Sequence, residues 1–198
     1  RMLGLTRVIV VYAALTVVSA GMTAVLAGYA WRYRSEPGAR QFAGLMLAVT
    51  VRSTFAAATL LTGDELLHAV FERLQYLGIA FLPVPWLLFA FEYTGYDEFA
   101  TRRAALALSV LPAATLAMVW TNHYHGLMWA DSWVTVADGV LASDVPVERH
   151  VPGPWFTVNL VYAYVLVVAG AALLLRLVAV SDYLYFDQSA LLVVGTVV

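Results

Sequence analysis

The chain has 198 residues, of which 62% are hydrophobic and only 12% are charged. Soluble domains are roughly half apolar and a quarter charged, so this composition indicates an integral membrane protein. The net charge of −2 is too weak to suggest a nucleic-acid partner. The absence of cysteine excludes disulfides, thiol catalysis and cysteine metal sites within the chain.

Five apolar segments are each long enough for a membrane-spanning helix, which needs about 20 residues. The predicted spans are residues 8–31, 41–61, 66–93, 104–120 and 155–180. A sixth span begins near Tyr183, but the sequence stops at Val198, before a comfortable crossing. We therefore interpret residues 1–198 as one transmembrane domain that is cut off inside a helix. The predicted fold class is an all-α integral membrane bundle of about six spans.

The third predicted span is the element around which the others are arranged. It carries Glu72 and Gln75 near one end and Glu92 near the other. Charges inside a bilayer are costly, so we expect this helix to face protein along much of its polar side. Glu72, Gln75 and Tyr76 recur at helical spacing on one face. We therefore predict the central helix of a polytopic bundle.

Prolines interrupt two of the predicted spans. Pro83 and Pro85 stand in the third span, and Pro112 stands in the fourth. Each proline removes a helical hydrogen bond, which predicts a helix kink at all three prolines, with the fourth span broken at Pro112. The kink is either static or a pivot that transmits movement.

Residues 121–154 form a polar and aromatic segment that is longer than the other loops. Two short runs, 133–137 and 140–143, flank Asp138-Gly139, which is the usual signal for a tight β-hairpin. We predict a small hairpin that turns at this pair and covers the adjoining end of the bundle.

Arginine counts predict the orientation. Six arginines fall on one side and three on the other, on the N-terminal tail and in the long loop. The richer side carries Arg32, Arg34, Arg40, Arg102, Arg103 and Arg176. The positive-inside rule assigns that side to the cytoplasm. The N-terminus and the 121–154 loop are then extracellular.

Arg52 lies close to the middle of the second span, where an arginine costs ~2.5–3.5 kcal/mol on insertion scales. The second and third spans are antiparallel neighbours, which separates Arg52 and Glu72 by about 6 Å in depth. We predict an ion pair between them, either fixing helix register or forming part of a ligand or switch site. Asn159 and Tyr162, at i and i+3 on the fifth span, are predicted to make interhelical hydrogen bonds.

The long loop offers a candidate outer ligand region. Its members are Trp129, Trp133, His125 and His150. The histidine spacing matches no closed zinc pattern, so we predict no metal and no cofactor. The aromatic residues in and beside this loop are more typical of an interfacial aromatic belt than of a stacking site for a ligand; they are Trp120, Tyr124, Trp129, Trp133 and Trp155. Signatures of metalloproteases, serine hydrolases and phosphate-binding loops are absent, so no catalytic residue is predicted in this chain.

From Leu74 onward the chain resembles the N-terminal seven-helix sensor region of prokaryotic histidine kinases. The matching residues are 74–80, 83–86, 89–95, Leu111-Pro112, Thr121-Asn122, His125-Gly126-Leu127, Trp129 and 162–164. The resemblance implies an extracellular N-terminus, seven helices and cytoplasmic signalling domains after the last helix. The seventh helix and a kinase core are missing from this sequence, so kinase activity is implied only for a parent protein.

These observations favour a sensory input domain that reads an extracellular or membrane signal. The expected partners are membrane lipids, an unknown small-molecule signal and a second copy bound through the parent's cytoplasmic domains. A transporter or permease is the alternative, although the sequence shows no internal repeat and no matching pair of interrupted helices. A retinal photoreceptor is the third reading, but the chain has no lysine for a Schiff base.

Overall fold

The computed structural model describes the backbone of residues 2–137 and 145–180. These residues form helices, a short 3₁₀ turn at Asp97–Phe99 and a two-stranded sheet. In chain order the elements are α1 (Met2–Arg32), α2 (Ala39–Leu61), α3 (Glu65–Phe81), α4 (Pro83–Tyr93), α5 (Arg102–Trp120), α6 (Asn122–His125), β1 (Trp129–Ala137), β2 (Val145–Pro152) and α7 (Pro154–Val180).

Five helical segments are long and apolar enough to cross a membrane, with α3 and α4 counting together as one span. They correspond to the five spans predicted from the sequence. Polar caps define two of the starts. The Asp64 side chain accepts a hydrogen bond from the Leu67 amide at 2.8 Å, and Thr101 accepts one from the Ala104 amide at 3.1 Å. The predicted sixth span lies outside the described residues.

The third span, α3 with α4, is the central one, as predicted. It contacts α2, α5, α7 and β2, whereas α1 packs mainly on α2. Half of its most apolar window is buried, against 11% for α1. Val84, Leu87 and Leu88 of α4 pack on Leu166 of α7 to form one apolar core. The span that carries the most charge is therefore also the one most enclosed by protein.

The third span is divided at Leu82, just before its prolines. Pro83 and Pro85 have no N–H to offer to the carbonyls four residues earlier, those of Ile79 and Phe81. Leu82 itself keeps helical torsions, with φ −51° and ψ −42°. The two helices therefore follow one another without a loop between them.

The predicted break at Pro112 is wrong, because α5 runs through it as one helix. Pro112 has no backbone N–H, so it cannot donate the helical hydrogen bond that the Leu108 carbonyl would normally accept. Tyr162 of α7 replaces that donor, with its hydroxyl 2.5 Å from the Leu108 oxygen. A side chain from the neighbouring helix thus satisfies the carbonyl that the proline leaves free.

The predicted hairpin is present, but its second strand differs from the prediction. β1 pairs antiparallel with β2, so that Trp133 stands opposite Arg149 and Ala137 opposite Val145. Pro146 and Pro152 lie within β2, because both strands of a two-stranded sheet are edges, where proline is tolerated. The predicted partner strand 140–143 and the Asp138-Gly139 turn lie outside the described residues.

Helices α2 and α3 touch backbone to backbone at Gly78. A Cβ placed on Gly78 would lie 2.3 Å from the Ala48 oxygen and 2.9 Å from the Arg52 Cβ. Small residues permit this kind of close approach between membrane helices. The contact fixes the register of the two helices, with Arg52 level with Gly78.

Candidate functional site at the two ends of the third span

The hairpin meets the third span in a compact group that we call the hairpin cluster: Glu72 and Tyr76 of α3, Trp129 of β1 and His150 of β2. The His150 Nε2 lies 3.3 Å from Glu72 Oε1. The imidazole stacks on the Trp129 indole with ring centroids 4.3 Å apart and planes tilted by 15°. Tyr76 meets the other side of the cluster, edge-on to Trp129 at 5.6 Å. The edge-on contact of Tyr76 with Trp129 and the polar contact of Glu72 with His150 therefore attach the hairpin to α3.

Asn122 holds Trp129 in place through its side-chain amide. Its Oδ1 accepts hydrogen bonds from the Met128 and Trp129 amides at 2.9 and 3.0 Å, and its Nδ2 donates to the Trp129 carbonyl at 3.0 Å. The indole is 6% exposed, so Trp129 belongs to the core and not to an interfacial belt. Asn122 thus fixes the start of β1 against the bundle.

The predicted ion pair between Arg52 and Glu72 is not formed. Among the described residues, Glu72 has one partner within 4.0 Å, and that partner is His150. The prediction counted the depth of both residues from the short turn that joins the two helices, as if the helix ends at this turn were level. The contact at Gly78 shows the actual register: Arg52 is level with a residue six positions beyond Glu72, or about 9 Å along the axis. Arg52 and Gln75 are partly buried and lie outside the hairpin cluster.

A buried polar link joins α5 to α7 beneath the hairpin. Thr115 donates a hydrogen bond to the Asn159 Oδ1 at 3.1 Å and accepts one from the Trp155 indole at 3.1 Å. Thr115 is completely buried and Asn159 is 8% exposed. With Tyr162 bonded to the Leu108 carbonyl, both polar residues singled out on the fifth span bond to α5. These contacts fix α7 on α5 below the hairpin cluster.

The four residues of the predicted outer ligand region do not come together. Trp129 and His150 are in contact, but Trp133 is 49% exposed. Trp133 pairs with Arg149, the neighbour of His150, and the register shift between Trp129 and Asp131 places it on the face of the hairpin opposite to Trp129 and His150. His125 is engaged locally: its Nδ1 accepts from the Leu127 amide at 2.9 Å, and its Nε2 lies 3.0 Å from the Thr121 hydroxyl. In the described part of the chain, no three histidine or carboxylate side chains are grouped to hold a metal ion.

A second polar group closes the other, arginine-rich end of the third span; we call it the arginine-end cluster. The Glu92 carboxylate accepts a hydrogen bond from the Gly38 amide at 2.7 Å and another from the Gln41 side chain at 2.6 Å. Gly38 has φ 78°, and a Cβ there would meet Phe89 at 3.1 Å. Glu92 therefore binds the end of α4 to the loop before α2.

A shallow cavity of about 260 Å³ opens beside the arginine-end cluster. It is lined by Arg34, Ser35, Glu36, Pro37, Arg40, Glu92 and Asp97. Across the same end, Arg176 of α7 donates to the Tyr96 hydroxyl at 2.8 Å. Charges of both signs surround this cavity, so it has no clear preference for an anion or a cation.

Sequence reasoning gave no structural role to three positions that the structure needs. Asn122 and Gly78 appeared only as part of the family resemblance, and Gly38 was not singled out as a site. A Pro-Gly pair beside charged residues is a signal that could have drawn attention to Gly38, because such pairs mark turns with positive φ. No local pattern signals that His150 will meet Glu72, since the two are 78 positions apart.

The comparisons with known proteins agree with this architecture. The family described as the N-terminal 7TM region of histidine kinase matches residues 15–198. No curated protein and no solved structure shows a significant match. The matched region includes both clusters, all of α2 to α7 and most of α1. The chain therefore belongs to the family of N-terminal seven-transmembrane regions of histidine kinases, which are multi-pass membrane domains of the sensor type.

Proposed function

We propose that this region is the sensory input domain of a two-component histidine kinase and that it passes a signal from the hairpin end to cytoplasmic kinase domains. The observation that carries the proposal is the position of the third span. It binds the hairpin through Glu72 at one end and the loop before α2 through Glu92 at the other. One continuous element thus connects the two faces of the membrane.

The division at Leu82 supports a role for α3 and α4 in transmission. Two prolines leave two carbonyls without their usual donors, which lowers the cost of changing the angle between the helices. α4 in turn packs on α7, the last helix of the described residues. A movement of α3 that begins at the hairpin therefore reaches α7 through α4.

The orientation in this proposal puts the hairpin and the N-terminus outside the cell. Six arginines gather at the end that Glu92 closes, and the positive-inside rule makes this the cytoplasmic end. A reporter fused after Glu98 should then be cytoplasmic, and one inserted within residues 131–144 should be extracellular. The reversed result would contradict the orientation, and two reporters on one side would contradict the number of spans.

The partners follow from the same picture. Membrane lipids cover the outward faces of α1. Only 11% of the most apolar window of this helix is buried in the protein. The signal is a small molecule or a state of the membrane that acts at the hairpin end. A second copy of the parent protein associates through the cytoplasmic domains.

Two tryptophans of β1 provide a matched test in the full-length protein, reconstituted in nanodiscs. Trp129 is 6% exposed and packs on α3, whereas Trp133 on the opposite face is 49% exposed. Trp129→Ala should release the hairpin and change the rate of autophosphorylation at least several-fold. Trp133→Ala should leave that rate unchanged. Hydrogen exchange across Arg149–Val151 reports whether the hairpin has been released.

An unchanged autophosphorylation rate in a Trp129→Ala protein whose hairpin is released would contradict the proposal. Equal effects of the two substitutions would also contradict it, because the exposed Trp133 lies on the face of the hairpin opposite to His150. A melting-temperature measurement on both variants separates a change in signalling from a loss of the folded state.

A further inference from the structure

The polar contact in the hairpin cluster is incompletely satisfied. His150 and Glu72 are partly buried, with side chains 16% and 25% exposed. Only one atom of each takes part in the contact. The Glu72 Oε2 and the His150 Nδ1 are both buried and have no hydrogen-bond partner in the described residues. Burying polar atoms without partners costs free energy. Because few other hydrogen bonds hold these two side chains, the strength of their contact depends mainly on the charges that they carry.

Protonation of His150 would improve every contact that its ring makes. Imidazole gains its positive charge between pH 5 and 8, within the physiological range. The charged ring would face the Glu72 carboxylate at 3.3 Å, turning a single hydrogen bond into an ion pair. It would also lie 4.3 Å from the centre of the Trp129 ring, within the range of a cation–π interaction.

The described contacts of the His150 ring include no positively charged group. On β1, Ser132 stands opposite His150, and neither it nor Trp129 carries a charge. Arg149 and the Asp131–Val151 pair occupy the other face of the hairpin by strand alternation. From α3, Glu72 faces the ring, the phenol of Tyr76 packs against the Trp129 indole, and Arg73 is the next residue after Glu72. On β2 itself, Glu148 stands two positions before His150.

We propose that His150 and Glu72 form a proton-operated latch between the hairpin and the third span. Protonation of His150 holds the hairpin on α3, and loss of that proton as the pH rises weakens its hold and releases the hairpin. The inference deepens the proposed function and rests on it, because the hairpin is the part that receives the signal. The proton then acts as a ligand whose binding changes the position of the hairpin.

The latch can be tested by measuring its geometry directly, without kinase activity. The region has no native cysteine, so Leu66→Cys on α3 and Trp133→Cys on β1 place two spin labels at exposed positions. Cysteines outside the region are replaced by serine, and the full-length protein is studied in nanodiscs. Electron–electron resonance should give one narrow distance distribution near pH 5.5 and a broader, longer one near pH 8.

Substitutions at the latch should remove this pH dependence. Glu72→Gln and His150→Gln should each give the same distribution at both pH values. His150→Arg carries a permanent charge and should keep the narrow distribution at both. His123→Gln is the control, because His123 is exposed on α6 and its loss should leave the pH dependence intact. A wild-type distribution that does not change with pH, or a His150→Gln protein that still responds, would overturn the latch.

Autophosphorylation in the same nanodiscs separates this inference from the proposed function. Distances that change with pH while the kinase rate stays constant would contradict the coupling and leave the latch standing. A kinase rate that responds to Trp129→Ala, combined with distances that do not change with pH, would contradict the latch and leave the proposed function standing. If His150→Gln fails to fold, His150→Arg still decides the matter: a distribution that varies with pH in that variant overturns the latch.

Discussion

The two ends of the third span are held by glutamates that are used in opposite ways. At the arginine end, Glu92 accepts a hydrogen bond on each carboxylate oxygen, at 2.7 and 2.6 Å. At the hairpin end, Glu72 has one contact at 3.3 Å, and its second oxygen is buried without a partner in the described residues. Hydrogen bonds to a charged group stabilise most when donors surround it. One end is therefore a fixed anchor, and the other is a contact that can be strengthened or lost.

The largest effect should follow from removing the anchor. Glu92→Leu deletes two hydrogen bonds to a carboxylate, each of which contributes ~1.5–3 kcal/mol, so we expect a loss of about 3 kcal/mol in the free energy of unfolding. Denaturant titration in mixed micelles measures this loss. Glu98→Gln, on the exposed 3₁₀ turn nearby, is the control and should change stability by less than about 0.5 kcal/mol. A loss for Glu92→Leu no larger than for the control would remove the distinction between the two ends.

At the hairpin end, the strongest attachment should be Asn122 and not Glu72. Asn122→Ala removes three hydrogen bonds to backbone atoms of Met128 and Trp129. With ~0.5–1.5 kcal/mol for each neutral bond, we expect a loss of about 2 kcal/mol. Asn122→Asp keeps both accepted bonds and should lose less. Melting temperatures of the two variants test this order, and the reverse order would show that the amide donor matters more than the acceptor.

Alanine substitutions at two glycines of the arginine end distinguish the cost of backbone strain from the cost of a packing clash. Gly38 and Gly95 both have φ 78°, but a new Cβ would touch Phe89 only at Gly38. Alanine with positive φ costs about 1–2 kcal/mol, and the Phe89 contact should add to this at Gly38 alone. Gly38→Ala should therefore lower the melting temperature more than Gly95→Ala. Equal shifts in melting temperature would mean that Phe89 moves aside without cost. The packing around Glu92 would then be less rigid than its short hydrogen bonds suggest.

The smallest effects concern Glu72 and its two possible partners. Because Arg52 is level with Gly78, Arg52→Leu and Glu72→Gln should be additive to within about 0.5 kcal/mol. Glu72→Gln and His150→Gln should be coupled, and more strongly near pH 5.5 than near pH 8. Two double-mutant cycles measured by denaturant titration give both coupling energies. A larger coupling for Arg52 than for His150 would restore the ion pair expected from the sequence.

Much of the fold could be predicted because hydropathy and helix length depend on nearby residues alone. The five spans and the central position of 66–93 follow from where apolar runs begin, where they end and where they carry charge. The hairpin was predicted for a similar reason, but its second strand was misplaced because the local turn signal at Asp138-Gly139 does not indicate a pairing of β1 with Val145–Pro152. The continuity of α5 through Pro112 depends on Tyr162, which comes from another helix.

The candidate site was harder to predict because its contacts depend on the register between helices. Depth counted from the turn placed Arg52 beside Glu72, whereas the close contact at Gly78 shifts α3 along α2. The partner that Glu72 does have lies 78 positions away, on a strand that was not expected. Register and long-range pairing are set by packing, and a single sequence carries little local information about either.

The central position of the third span also has a consequence for how the protein is made. The Trp86 indole donates to the Val167 carbonyl, 81 positions later in the chain. At ~5–20 residues per second, the ribosome needs about 4–16 s to synthesise that distance. During this time α4 has been synthesised, but α7, the helix that packs on it, has not. The segment that holds the finished bundle together is thus the one that waits longest for its neighbours, and it has the greatest need of protection by the insertion machinery.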